Sequence, residues 1–209
     1  MRLVVFASGG GTNFQRIVDA IERGDLDAEP VGLISNHAEA GALERARRHG
    51  IPTEVVDPDA FNQTSDFDDA LLEVLHAQEA TFVALAGYMR KIPDGVVEAF
   101  RGRMVNIHPA LLPAFGGRGM YGMNVHRAVI EYGAHWSVAP VHLVDEAYDH
   151  GPIVLQEPVP VYPDDTPADL AGRVLAVEHR LYPTALQLFA TGRIRQDGRR
   201  VSILEPDAA

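Results

Sequence analysis

The chain has 209 residues, of which 46% are hydrophobic, so one ordinary domain can bury a sizeable core without metal or disulfide staples. It has no cysteine, which excludes disulfides, thiolate zinc sites and cysteine nucleophiles. Lys and Arg number 18 against 29 Asp and Glu, a formal net charge of −11 that repels nucleic acid and anionic membranes; a phosphate site here has to be local and built from backbone. The first apolar run, residues 3–7, is shorter than a signal-peptide core, and no run approaches the roughly 18 residues of a membrane span. These features lead us to expect a cytoplasmic protein forming a single domain over residues 1–209.

The apolar run 3–8 predicts a first strand, ended by Gly9-Gly10-Gly11. A helix follows over about 13–23, with Phe14, Ile17, Val18 and Ile21 on one stripe. Residues 32–35 predict the next strand and 40–49 the next helix, with Leu43 and Ala46 inward and Arg45, Arg47 and Arg48 outward. A strand over 52–56, a helix over about 65–78 carrying Phe67, Leu71, Leu72 and Leu75, and strands over 82–86 and 104–108 complete the first half. Short strands that are apolar on both faces, alternating with helices, define a doubly wound α/β core with a mostly parallel, Rossmann-like sheet.

Beyond that point the pattern changes. Residues 109–123 are rich in Gly and Pro and read as a loop, with His126 opening the helix after it. Strands over 141–144 and 153–161 are joined by a turn too short for a crossover, which predicts an antiparallel C-terminal portion. Thr166 caps a long helix over 166–191 that has Pro167 near its start and Gly192 past its end. Asp197-Gly198 signals a hairpin within 193–204.

Two constellations carry chemistry. Ser8-Gly9-Gly10-Gly11-Thr12-Asn13 joins the first strand to the first helix, where close backbone approach and free helix N–H groups suit a phosphate. Phe14 stands where the dinucleotide fingerprint has its third glycine, Ser35-Asn36 replaces the acid expected at the end of the second strand, and the P-loop lysine is missing; a monophosphate fits better than NAD or ATP. The competing reading is a tight turn and nothing more. The second constellation is Asn106-Ile107-His108-Pro109, which puts a carboxamide and an imidazole on one face of a strand end, as oxyanion stabilisation requires. Asp149, in Asp149-His150-Gly151-Pro152, would orient His108 and raise its pKa, although Asp145, Glu146 and Glu157 lie in the same region and the pattern does not choose among them. A metal held by His108, His142 and Asp149 lacks the ligand spacings of zinc motifs, so no metal is expected. His37, His49, His76, His135 and His179 read as surface or helix-face residues.

These two motifs, with Ala86-Gly87-Tyr88-Met89-Arg90 between them and Asp149-His150-Gly151-Pro152-Ile153 after them, occur in an order that closely resembles the phosphoribosylglycinamide formyltransferases, folate-dependent enzymes of purine synthesis. The resemblance runs from residue 3 to about 194. It implies transfer of the formyl group of 10-formyltetrahydrofolate, a co-substrate, to the amine of glycinamide ribonucleotide. It also implies a nucleotide-phosphate-binding half over about 1–100 and a catalytic and folate-binding half over about 101–209.

Carried over by position, Gly11, Thr12 and Asn13 match the phosphate site, with Pro109 and Glu178 as further substrate contacts. Met89, Arg90, Lys91 and Ile92, together with Asn106, match the folate site, and Asn106, His108 and Asp149 match the catalytic trio. The implied partners are these two small molecules, with neither nucleic acid nor membrane; a homodimer is compatible with the resemblance. Two departures stand out. Gln63-Thr64-Ser65 replaces an arginine that many members carry just after the Phe61 position, and the loop 116–123 is longer than in shorter-loop members and is read as a mobile cover.

Overall fold

The computed structural model describes residues 1–205. The strands run β1 (Arg2–Phe6), β2 (Glu29–Ser35), β3 (Thr53–Val55), β4 (Phe82–Leu85), β5 (Met104–Ile107), β6 (Trp136–Leu143), β7 (Ile153–Pro160), β8 (Ile194–Asp197) and β9 (Arg200–Ile203). The α-helices are α1 (Thr12–Glu22), α2 (Gly41–Arg48), α3 (Thr64–Ala77), α4 (Asp94–Ala99), α5 (Met123–Glu131) and α6 (Pro167–Ala190). Seven strands form a mixed sheet in the order β3-β2-β1-β4-β5-β6-β7, and β8-β9 form a separate hairpin. The chain divides into two compact units, the first Met1–Val105 and the second beginning at Asn106.

In the first unit β1 lies parallel to both β2 and β4, and β2 is parallel to β3. Leu3, Val4, Val5 and Phe6 are all fully buried, which is why this strand shows no alternation: helices cover both of its faces. Phe14, Ile17 and Val18 of α1 pack inward as their spacing requires, but the fourth buried position is Ala20, not Ile21, which is only half-buried. Because β2 lies on one side of β1 and β4 on the other, chain order reverses there, and the loops after β1 and β4 leave the sheet at a topological switch point, where open α/β sheets bind ligands.

In the second unit β6 and β7 pair antiparallel, as the short connection demands. The sequence signal places β6 at 141–144; the strand begins five residues earlier, at Trp136. Pro140 hides this, since a proline reads as a break. Within the strand it supplies only its carbonyl, which accepts from the His108 N–H at 3.0 Å. β7 is the last strand of the sheet and tolerates Pro158 and Pro160 there. Helix α6 opens with a capping box: the Asp169 N–H donates to Thr166 Oγ1 at 3.3 Å and the Thr166 N–H to Asp169 Oδ2 at 2.9 Å. It runs on through Pro183. Its Leu170 and Val174 join Ala110, Phe115, Val125, Val129, Ala139 and Val159 in the core of this unit. Among the described residues no helix is long and apolar enough to cross a membrane.

Candidate active site

In the first unit the glycine loop is held from two directions. Gly11 has φ +71°, and a Cβ there would lie 2.7 Å from Ala42 Cα, so both its conformation and its packing require glycine. It is the N-cap of α1 and has no side-chain cap, and the first turn of that helix carries no acidic residue to offset the positive end of its dipole. Helix α2 abuts the loop: the Ala42 N–H donates to the Gly9 carbonyl at 3.0 Å and Arg45 Nε to the Gly10 carbonyl at 2.7 Å. The sequence pattern turns Arg45 outward, but it is half-buried and braces the loop. Thr12 is exposed and Asn13 is buried.

Ser8 ties this loop to the one after β4. Its N–H donates to the Gly87 carbonyl at 3.1 Å, and its Oγ accepts the Met89 N–H at 2.8 Å while donating to Asn36 Oδ1. Asn36 is therefore turned inward, a physical reason why the end of β2 needs no acidic residue. In the segment that follows, Met89 is exposed and Ile92 buried, and Arg90 and Lys91 are ion-paired with Asp59 and Asp94. Thr64 is the first residue of α3.

The second unit brings Asn106, His108 and Asp149 together. β5 ends at Ile107 and Pro109 follows, half-buried. Asp149 Oδ1 lies 3.6 Å from His108 Nδ1 and 3.4 Å from Asn106 Nδ2, and its Oδ2 accepts the Gly117 N–H at 2.9 Å. The other acids of the turn and of β7 are engaged elsewhere, Asp145 with His150 and Glu157 with Arg180. Asp149 itself has φ +51°, a left-handed conformation uncommon outside glycine and concentrated at functional sites. Two glycines frame it. A Cβ on Gly116 would come within 3.0 Å of Asp149 Cβ, and one on Gly151 within 1.8 Å of the Leu143 carbonyl oxygen. Glu178 lies buried in α6.

The electrostatics follow from burial. His108 is 3% exposed, and its Nε2 donates to the Phe115 carbonyl at 2.8 Å, which leaves Nδ1 facing Asp149. Burial pushes this imidazole below its ordinary pKa, and Asp149 opposes the shift without cancelling it. The expected upward pull of the carboxylate is present, but desolvation outweighs it, so the ring is neutral at neutral pH. Burial pushes Asp149 up, yet the His142 and His108 imidazoles in their protonated forms and the Gly117 N–H more than offset this, and the carboxyl stays below its ordinary range.

One histidine differs from the sequence reading, and a second, left without a role there, joins the site. His126 does not open its helix; α5 starts at Met123, and His126 is buried one turn in. His142 has its Nε2 3.2 Å from Asn106 Nδ2 and 3.7 Å from Asp149 Oδ1, which makes it a neighbour of the trio. Among the described residues no group of three or more His, Asp or Glu is placed to hold a metal ion.

Burial, helped by His108 where that ring is protonated, lowers the His126 pKa from 6.5 to about 4. Between those values the unfolded chain holds a proton that the folded chain refuses, so this contribution to stability is full above pH 6.5 and lost as the pH falls toward 4. Unfolding free energies from denaturant titrations should decline over that window by less than about 1.4 kcal/mol per pH unit from this one group. His126→Gln should flatten the decline; parallel profiles for the two proteins would exclude a buried, neutral His126.

A carboxylate, an imidazole with one free nitrogen and a carboxamide donor, gathered at one strand end of the second unit, are the groups an enzyme of group transfer uses. The family model described as formyl transferase matches residues 1–186, and the chain belongs to that family. It is 45% identical over 201 residues to the chloroplastic phosphoribosylglycinamide formyltransferase of Arabidopsis thaliana, a match covering 94% of this chain and 68% of that one. It is 36% identical to the phosphoribosylglycinamide formyltransferase of Escherichia coli K12, with 96% of each chain covered. Among solved structures, glycinamide ribonucleotide transformylase 1 from Symbiobacterium toebii superposes with a TM-score of 0.92 at 44% identity, covering 98% of this chain and 94% of that one.

Proposed function

We propose that this chain transfers the formyl group of 10-formyltetrahydrofolate to the amine of glycinamide ribonucleotide, a step of purine biosynthesis. The observation that carries the reading is the Asp149 carboxylate set against both His108 Nδ1 and Asn106 Nδ2. The 36–45% identity to phosphoribosylglycinamide formyltransferases over nearly the whole chain supports the choice of substrates.

Gly11, Thr12 and Asn13 hold the phosphate of the ribonucleotide through backbone N–H groups and the end of α1. Pro109 shapes the approach to the strand end, and Glu178 positions the glycinamide group. The backbone of 89–92 and the Met89 side chain hold the pterin, since Arg90 and Lys91 already have carboxylate partners.

His108 Nδ1 is the working nitrogen because Nε2 is committed to Phe115. It takes the proton that the amine loses as the new carbon–nitrogen bond forms, and Asp149 stabilises the resulting imidazolium. Asn106 donates to the formyl oxygen as negative charge builds there. His108 then returns the proton to the folate nitrogen as its bond to the formyl carbon breaks. Amine and formamide thus exchange one formyl group for one proton, with no covalent enzyme intermediate.

The test is to mix the protein with both substrates and follow tetrahydrofolate release. Release that depends on glycinamide ribonucleotide is the expected result. Release without it would identify a hydrolase, and no release would leave a binding module.

A further inference from the structure

A carbonyl oxygen can only accept, so the 2.8 Å contact between His142 Nδ1 and the Leu143 carbonyl puts a proton on Nδ1, and in the neutral ring Nε2 is then the acceptor. The atom facing that acceptor, at 3.2 Å, is Asn106 Nδ2, a primary amide nitrogen with two N–H bonds in one plane. Committing one of them to His142 fixes the direction of the other. It points toward Asp149 Oδ1 at 3.4 Å, a long contact that an incoming oxygen can replace at little cost. His142 is only 2% exposed, so water does not compete for Nε2.

We infer that His142 is a positioning residue that aims the Asn106 carboxamide at the reacting formyl oxygen, with the Leu143 carbonyl holding the required tautomer. The inference rests on the role given to Asn106 above. Apart from His142, the Asn106 amide is held in this orientation by the long contact to Asp149 Oδ1, the one an incoming oxygen replaces. The imidazole acceptor keeps the amide in place when that contact is given up.

The sharpest test needs no variant: histidine-selective 15N NMR of the wild-type protein should find His142 protonated on Nδ1 and bare on Nε2. In kinetics, H142L should lower kcat by about 100-fold, the cost of a misplaced catalytic group, with both KM values little changed. H142Q, whose amide oxygen can accept in place of Nε2, should restore most of the loss. On an N106A background H142L should cost nothing further, because the group it aims is gone. A proton on Nε2, or an H142L penalty as large in N106A as in wild type, would overturn the positioning role while leaving Asn106 catalytic. Full turnover by N106A would remove the reading of Asn106 itself, and His142 with it.

Discussion

His108→Ala is expected to lower kcat by about 10²–10⁴-fold while both KM values stay within a few-fold of wild type. The ring is fixed. Nε2 is held by the Phe115 carbonyl, burial keeps the imidazole neutral, and Nδ1 stands 3.6 Å from a carboxylate that gains from its protonation. A proton acceptor so placed contributes to bond making and little to holding either substrate. Because the pKa lies below its ordinary value, wild-type turnover should fall only on the acid side of pH 6.5. Steady-state kinetics across pH measure both effects. A variant that bound its substrates poorly but turned them over at the normal rate would move His108 from chemistry to binding.

Gly151→Ala is expected to damage both activity and stability, although it adds one methyl group. The new Cβ would sit 1.8 Å from the Leu143 carbonyl oxygen and 2.7 Å from its carbon, which are backbone atoms that cannot turn aside. The turn would have to move, and Asp149 with it, away from His108 and from the Gly117 N–H. Strain of this kind costs about 1–3 kcal/mol, and a shift of about 1 Å at a reacting group costs about 100-fold in rate. Gly172→Ala is the control: it lies within α6 with open space at its Cβ and should stabilise by about 0.5–1 kcal/mol. Denaturant midpoints and kcat for the two variants decide the matter. A Gly151→Ala enzyme indistinguishable from wild type would mean that the turn is not under this constraint.

The parallel half of the sheet was legible because strands buried on both faces spell unbroken apolar runs, and the helix after Thr166 because its ends are written in Thr166, Pro167 and Gly192. Asn106 and His108 were legible as a carboxamide and an imidazole two residues apart at a strand end. What escaped was whatever depends on direction across space. Arg45 sits on the outward side of its helical pattern yet reaches back to Gly10, and Asn36 looks like a missing acid until its link to Ser8 is seen. His142 differs from a core histidine only through its neighbours. Nothing in the chain separated Asp149 from Asp145 and Glu157; their partners, His150 and Arg180, did.

Ser8 is the joint between the two loops that leave the sheet at its switch point. One hydroxyl serves both, giving its only proton to Asn36 and receiving the Met89 N–H. Neither loop can therefore be exchanged alone. An engineer wishing to reshape the segment after β4 would have to transplant Ser8, Asn36 and the backbone path through Met89 as a single cassette, and sequence drift at any one of the three should be answered at the others.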